Sequence, residues 1–307
     1  MNLNRIDLDL LRAVSDINEL PKGAVNIRSN GEAIVRHSSP NIMIHSQIDN
    51  PGLTVEVKPG TINESVHVPV ILTQPGFNDK VYNTFIIGED SDITIVAGCG
   101  IHNSSHATSR HDGIHEIIVR QGARLKYVEK HYGEGAGDGK NVLNPSTIIT
   151  IEKDASAELE MVQIKGVDDT DRSTVAHVHE KGNLKIIERL LTQGGQKAHS
   201  DIKISIEGKD GTAQILSRSV AQGNSFQLFR AALIGKTACM GHVECDAIIM
   251  DRARIQSIPE LQAEDADAVL THEAAIGKIA GEQLIKLMSL GLTEKEAIEA
   301  ILEGFLR

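Results

Sequence analysis

Three cysteines, one His-Glu pair and a run of histidines are the residues of this 307-residue chain whose side chains could do chemistry. Cys99 stands in Ile93-Thr94-Ile95-Val96-Ala97-Gly98-Cys99-Gly100. Glycine on either side leaves the backbone free and the sulfur approachable, as a thiol that accepts sulfur requires; the plainer reading is a cysteine chosen for size at a strand end. Cys245 lies in His242-Val243-Glu244-Cys245-Asp246-Ala247-Ile248-Ile249-Met250. A free cysteine is most often a small buried apolar residue, and its other use is as a thiolate ligand. Glu244 and Asp246 alternate with it and so point to the opposite face of a strand. Cys239 shares its parity, but an uninterrupted strand would hold the two sulfurs about 20 Å apart. They could serve one small cluster only if Gly241 bends the chain, so Cys239 reads as packing.

His272-Glu273 follows a predicted strand end at Val269-Leu270. Adjacent residues of an extended chain point opposite ways, so both reach one iron only at a bend. A helix start there would supply it; in the plainer reading the His caps the strand and the Glu serves the positive end of the helix. His102, His106, His111 and His115 crowd one short segment among Ser, Asn and Arg. Such density could be a zinc or iron site, but Asn103-Ser104-Ser105 makes a poor helix, and a solvated loop is the simpler reading. His177 and His179 alternate on a predicted strand and share a face. Gly235-Lys236-Thr237 lacks the first glycine of a phosphate-binding loop, Arg230 standing there. The run Gly133-Glu134-Gly135-Ala136-Gly137-Asp138-Gly139 lacks dinucleotide spacing and reads as a flexible loop.

The elements that must position these residues are short strands. Aromatic content is 3 %, Trp is absent and there are 27 Gly, which suits a Val/Ile/Leu/Ala core of even strands and tight turns. Alternating segments break at Gly88, Gly122, Asp154, Gly182 and Gly211, a loose recurrence of roughly 30 residues that marks stacked supersecondary units. A solenoid or a β-sandwich fits that pattern. Leu8, Leu10, Leu11, Val14, Ile17 and Leu20 have helical spacing before Pro21-Lys22-Gly23. After Pro259 the pattern turns helical, with Leu284, Leu287 and Met288 on one face before Gly291. Thr293 and Glu296 then form a capping box for a helix carrying Ala297, Ile298, Ile301, Leu302 and Phe305. Two helices this short must dock on the strand body, on a partner, or on both.

A net charge of −11 argues against nucleic-acid and anionic-membrane partners. No apolar run of about 18 residues is present to span a bilayer, and no secretory signal is visible at the N-terminus. An odd number of cysteines makes no disulfide framework. The expectation is a cytoplasmic protein with reduced thiols.

Gly98-Cys99, Cys245-Asp246 and His272-Glu273 occur in that order, with Ser257-Ile258-Pro259-Glu260-Leu261 and Glu264-Asp265-Ala266-Asp267 between the last two. Together with Glu303-Gly304-Phe305-Leu306 they resemble the SufB/SufD family, scaffolds for iron–sulfur cluster assembly. The likeness runs from about residue 80 to 307 and is strongest from 239 onward. It implies a mainly β protein, a right-handed parallel β-helix over 25–258, between an N-terminal helical segment (1–24) and a C-terminal helical domain (259–307). It implies Cys99 as sulfur acceptor, and Cys245, His272 and Glu273 as ligands of a transient iron–sulfur cluster formed between two subunits. His115 matches a family histidine beyond the acceptor loop and joins the metal set. Ala97 and Gly100-Ile101-His102 depart from the SufB-type Glu and Thr-Ala-Pro around that cysteine, and Thr271 stands where SufB-type members often carry Glu. The resemblance also implies a SufC-like ABC ATPase docked on the C-terminal helices, a sulfur donor protein, and self-association or a SufB/SufD-like partner. ATP hydrolysis then belongs to the partner and this chain is not an enzyme; flavin use is left open. The alternative is a SufD-like structural adaptor that ligates no cluster. A zinc enzyme built on the His102–His115 segment is the third reading, and no carboxylate base is placed beside it.

Overall fold

The structure, a computed structural model, describes residues 3–17 and 23–307. Helix α1 (Arg5–Ser15) comes first. Strands β1 (Ala24–Ser29), β2 (Glu32–His37), β3 (Ile42–Ser46), β4 (Gly52–Val57), β5 (Ile62–Leu72) and β6 (Asn78–Ile87) follow. The chain continues through β7 (Asp92–His102), β8 (Ser109–Val119), β9 (Arg124–Glu134), β10 (Asn141–Leu143), β11 (Ser146–Ile151), β12 (Ser156–Lys165) and β13 (Asp169–Val178). Then come β14 (Asn183–Thr192), β15 (Lys197–Ile206), β16 (Thr212–Ala221), β17 (Phe226–Gly235), β18 (Met240–Ile249), β19 (Arg254–Ala263) and β20 (Val269–Gly277). Helices α2 (Gly281–Ser289) and α3 (Glu294–Phe305) complete the described elements.

Successive strands alternate between two sheets. The first runs β2-β1-β5-β7-β9-β12-β14-β16-β18-β20; the second runs β19-β17-β15-β13-β10-β8-β6-β4-β3, with β11 lying between β8 and β13. Apart from the β1–β2 and β3–β4 pairs the neighbours are parallel, giving a β-solenoid of about eight turns. Strict alternation drives this: in β9 and β12 every second residue is buried, so each strand lays one apolar row inward. Val66, Ile95, Leu159, Ile186 and Ile215 of the first sheet meet Phe85, Ile117, Ile149, Ile202 and Leu233 of the second in one continuous core. Fully burying such a side chain stabilises by about 1.5–3 kcal/mol, and only the adjacent turns can provide the burial.

The recurrent turns of the sequence mark one corner of the solenoid, although of the five positions named only Gly122 and Asp154 take the left-handed conformation and Gly88, Gly182 and Gly211 stand one or two residues from the one that does. Gly60, Asp90, Gly122, Asp154, Lys181 and Asp210 all have φ between 54° and 71° there. Each donates its amide to the next turn's corner, as in Asp90 N to Gln121 O (3.1 Å), Gly122 N to Lys153 O (3.1 Å) and Asp154 N to Glu180 O (3.0 Å). The left-handed geometry turns the N–H along the stack, which is why Gly and Asp, the residues most tolerant of it, recur.

Helix α1 is shorter than the apolar spacing predicted. It starts in a capping box, Asn4 with Asp7, and ends with Asp16 in the left-handed conformation. Leu8 is half-exposed, whereas Leu10, Leu11 and Val14 are buried against the outer face of the first sheet. Leu20, Pro21 and Lys22 lie outside the described residues.

The strand body also continues past the predicted boundary at residue 258. Pro259 sits within β19 and pairs with Ala231 of β17. Because β19 ends its sheet, one side of the strand needs no backbone donor and the proline is tolerated. Residues 269–277 form another edge strand, so only 281–305 are helical. Among the described residues no helix is long and apolar enough to cross a membrane. Helix α3 buries Ala297 and Leu302, and Arg189 of β14 holds the Arg307 carbonyl at 2.8 and 3.1 Å. Helix α2 buries nothing.

Candidate functional site

The glycines beside Cys99 do something other than expose it. Gly98 and Gly100 point outward, and α1 lies flat on them: a Cβ on Gly98 would come within 2.2 Å of the Val14 carbonyl oxygen. Cys99 therefore faces the interior, only 5 % exposed, among Val70, Leu72, Ile101 and Leu143. Its polar neighbours are His111 and His131. Burial pushes the thiol up, but the two imidazoles outweigh it and bring the Cys99 pKa down to about 7.

Those imidazoles are each held by a carboxylate. His111 Nδ1 lies 3.1 Å from Asp79 Oδ2, its register neighbour on β6, and Arg28 grips Asp79 with two bonds of 3.1 and 2.9 Å. Burial would lower His111, yet the ionised Cys99 and Asp79 raise it to about 10. His131 Nε2 stands 2.8 Å from Glu129 Oε1. Burial opposes charge on Glu129 as well, but His131 and Arg172 hold its carboxyl far below the usual range. His115 shares this interior, packed on Phe85 and Tyr127. With burial dominant, its pKa falls to about 4 and it stays neutral.

From Glu129 a row of buried polar groups continues along the axis. Arg172 Nη1 donates to Glu129 Oε2 at 3.1 Å, and its Nε lies 3.6 Å from Glu188 Oε1. Glu188 also accepts from Ser200 (2.7 Å) and Ser217 (3.4 Å). Ser217 is the register neighbour of Cys245, whose sulfur lies 2.9 Å from Ser257 Oγ. Five strand steps from β7 to β18, at about 4.8 Å each, put the two thiols roughly 24 Å apart along the axis. A void of about 10 Å³ opens among Gln163, Thr170, Arg172, Glu188 and Ser200, room for about one water. Tyr127 Oη, Gln163 Nε2 and Thr174 Oγ1 are buried without partners along this interior.

Cys245 stands one strand in from the end of the solenoid, 5 % exposed and in the main core. Burial raises its pKa, with Ser257 opposing. Cys239 is raised by burial too and packs in the same core, as expected of it. His272 is brought to the Cys245 side: Val243 pairs with His272 and Cys245 with Ala274, so all four share the inner face. Its Cα is roughly 8 Å from that of Cys245 by strand geometry. Glu273 is not brought there. No helix start bends the chain at this point; β20 is unbroken, and Glu273 pairs with Glu244 on the outer face.

His115 is also far from Cys245, because β8 belongs to the Cys99 end. The proposed metal set Cys245, His272, Glu273 and His115 thus does not close within one subunit. Among the described residues no group of three or more His, Cys, Asp or Glu could hold a metal ion. The zinc reading fails on the same geometry. His102 and His106 are partnered by Glu134 and Asp138 at the edge, while His111 and His115 are inside. The glycine run is not a free loop either. Gly137 N and Gly139 N donate to Asn103 O (3.2 Å) and Ser105 O (2.9 Å), and a Cβ on Gly137 would come within 2.3 Å of the Ser105 carbonyl oxygen.

Glu129, His131, Arg172, Glu188 and Asp79 escaped the sequence reading. The available signal was phase: Tyr127, Glu129 and His131 alternate on the buried parity of β9, so polar residues there point into the core rather than into solvent.

A sequence model of the SUF system FeS cluster assembly SufBD core domain matches residues 75–305. An iron-sulfur cluster assembly SufBD family protein of Archaeoglobus fulgidus is 30% identical over 74% of this chain and 60% of its own length. One from Methanothermobacter thermautotrophicus is 29% identical over 73% of this chain and 54% of its own. One from Pyrococcus horikoshii is 24% identical over 92% and 86%. The chain thus spans 54% to 60% of the length of the first two relatives.

Proposed function

From the premise that this chain belongs to the SufBD family of iron–sulfur cluster assembly proteins, we propose that it is a scaffold that accepts sulfur at Cys99 and builds a transient cluster at Cys245. The observation that carries this reading is the buried polar row from Cys99 through His131, Glu129, Arg172 and Glu188 to Ser217 and Cys245. Buried charge is costly unless it serves a purpose or is fully paired. A hydrogen-bonding interior offers polar partners along the line between the two thiols that a hydrocarbon core would deny.

The ligand set is completed by a second subunit at the solenoid's open end. Neither β19 nor β20 buries a residue, and Leu261, Val269 and Ile276 are exposed there. A self-associated copy, or a SufB/SufD-like partner, covers these edges and adds its own His and Glu to Cys245 and His272. Helix α2, with Ile285 and Met288 exposed and Leu290 exposed at its C-cap, is the docking face for a SufC-like ABC ATPase, which supplies the hydrolysis. A sulfur donor protein loads Cys99. The work belongs in the cytoplasm, where all three cysteines stay free.

Anaerobic reconstitution with iron and sulfide tests the scaffold. Visible-region absorption appears in the wild type and disappears in Cys245→Ala; an unchanged spectrum in that variant removes the proposed ligand. The SufD-like adaptor is favoured by one specific observation, the outward orientation of Glu273, and it gives no absorption in either protein. Both readings require loss of ATPase binding when residues 281–307 are deleted.

A further inference from the structure

His111 is not among the residues whose roles the family resemblance supplied, yet its setting is that of a general base for a thiol. We infer that His111, oriented by Asp79 and Arg28, is the residue that activates Cys99 for sulfur capture, an inference that rests on the acceptor role given to Cys99 above. One ring nitrogen, Nδ1, is committed to Asp79 at 3.1 Å. The other, Nε2, is buried and makes no hydrogen bond; the Cys99 thiol lies in one cluster with Leu143, a register neighbour of His111, and is the charged group that acts on this ring. A carboxylate that fixes one nitrogen aims the other and stabilises the imidazolium formed when the thiol ionises. Arg28 spans both Asp79 oxygens and keeps that carboxylate ionised and fixed. Asp79 and Arg28 are positioning residues.

The placement follows from the stack. Asp79 and His111 are register partners on β6 and β8, while Cys99 comes from β7 on the opposite sheet and Arg28 from β1. Gly113 clears the space on the imidazole side: a Cβ there would come within 2.8 Å of His115 Nε2 and 3.4 Å of His111 Nε2. The charged and titratable groups that face this pair are Asp79 and Arg28 behind His111, neutral His115 beside it, and His131, Glu129, Arg172 and Tyr127 beyond Cys99. His131 has both ring nitrogens engaged, Nε2 by Glu129 and Nδ1 by Arg172, which leaves His111 as the imidazole with a nitrogen free to face the sulfur.

The step balances without an added oxidant. With the proton held on His111, the Cys99 thiolate attacks the terminal sulfur of a donor persulfide, R–S–SH. A new bond forms from Cys99 Sγ to that sulfur as the donor S–S bond breaks. Its electron pair leaves on the donor thiolate, which takes the proton back from the His111 imidazolium.

Two measurements on the full chain test this. The first is thiolate absorbance against pH, taken as the difference from Cys99→Ser. The wild-type midpoint is expected near 7, and His111→Gln and Asp79→Asn should raise it by about 1–3 pH units. Midpoints that do not move overturn the inference. Should His111→Gln fail to fold, ring-nitrogen NMR of wild-type His111 decides: both nitrogens protonated while Cys99 is ionised supports the pair, and a neutral ring sinks it. The second is sulfur loading with sodium disulfide, read as one added sulfur atom on Cys99 by intact mass. Loading should be at least tenfold slower in His111→Gln near neutral pH, and the rates should converge at alkaline pH. Equal rates at every pH overturn the role of His111 while leaving Cys99 as acceptor. An ionised Cys99 that gains no sulfur overturns capture itself, and with it the acceptor role.

Discussion

Cys99 and Cys245 are two thiols on inward-facing positions of the same sheet, equally buried, and the structure treats them oppositely. Cys99 is surrounded by His111 and His131, each backed by a carboxylate, and its pKa is brought down. Cys245 has one neutral hydroxyl for a partner, and burial pushes it up. The difference teaches that burial alone does not decide thiol reactivity; the nearest charge does. One end of the solenoid supplies thiolate by itself. The other presents a protonated sulfur one strand in from the edge, and on the reading proposed above an arriving cation or subunit would do the ionising.

The sharpest way to break the comparison is to cut the bridge between the two ends. Arg172 is the cation that pairs with both Glu129 and Glu188. Arg172→Met leaves both carboxylates buried without it and should cost about 3–5 kcal/mol, read as a lower midpoint in urea. Arg172→Lys should recover part of that loss. If the Met variant is as stable as the wild type, the polar row is not a paired network and the continuity argued between the thiols is lost.

Next comes the gap itself. Thiolate titrations as differences from Cys99→Ser and from Cys245→Ser should give midpoints near 7 and above 9.0 respectively. Coincident midpoints would mean that the histidines around Cys99 carry no charge that the sulfur feels.

The acid limb should distinguish the ends as well. His115 is held neutral in the folded chain, with a pKa near 4 against 6.5 for the free side chain. A group depressed on folding contributes stability that is present above its unfolded pKa and is lost as pH falls through its folded one. The wild type should therefore lose up to about 3 kcal/mol between pH 6.5 and 4 from this residue. His115→Gln should flatten that slope above about pH 5, leaving there the smaller contribution of His67, which burial lowers in the same direction; nearer pH 4 the depressed carboxyls of Glu129 and Asp79 add their own loss in both proteins. Urea midpoints at a series of pH values check it, and an equally steep slope in His115→Gln rules the residue out.

What the sequence made legible divides along the same line. Stacked strand units were readable because period-two alternation and a turn roughly every 30 residues are local, while the choice of a solenoid over a sandwich came from the family resemblance. Cys99 and Cys245 were readable because chemistry-bearing types are few. The row joining them was not, because Glu129, Arg172 and Glu188 look like ordinary strand charges until the phase of each strand and the pairing across two sheets are known. The tail boundary was misplaced for a related reason: Pro259 breaks a central strand but not an edge, and edge position is a property of the whole stack. His272-Glu273 carried the same ambiguity, since a bend and a straight strand put the same two residues on one side or on two.

The smallest effect is the most specific to the Cys245 end. Ser257 lies on the terminal strand β19 and gives Cys245 its hydrogen-bonded partner at 2.9 Å. The hydroxyl opposes the upward push of burial, which means that it favours the thiolate by donating to it. Ser257→Ala removes that donor without opening space a larger group would need. The Cys245 midpoint should rise further, by up to about one pH unit, the size of a single hydrogen bond of about 0.5–1.5 kcal/mol. Cys99, roughly 24 Å away along the axis, should not move. A shift in both titrations would show that the two ends are electrostatically coupled through Glu188 and Arg172, and the contrast between a self-sufficient thiol and a dependent one would have to be redrawn as one extended network. A shift confined to Cys245 would establish that its thiolate is set locally, by a residue on the very strand that a second subunit would cover.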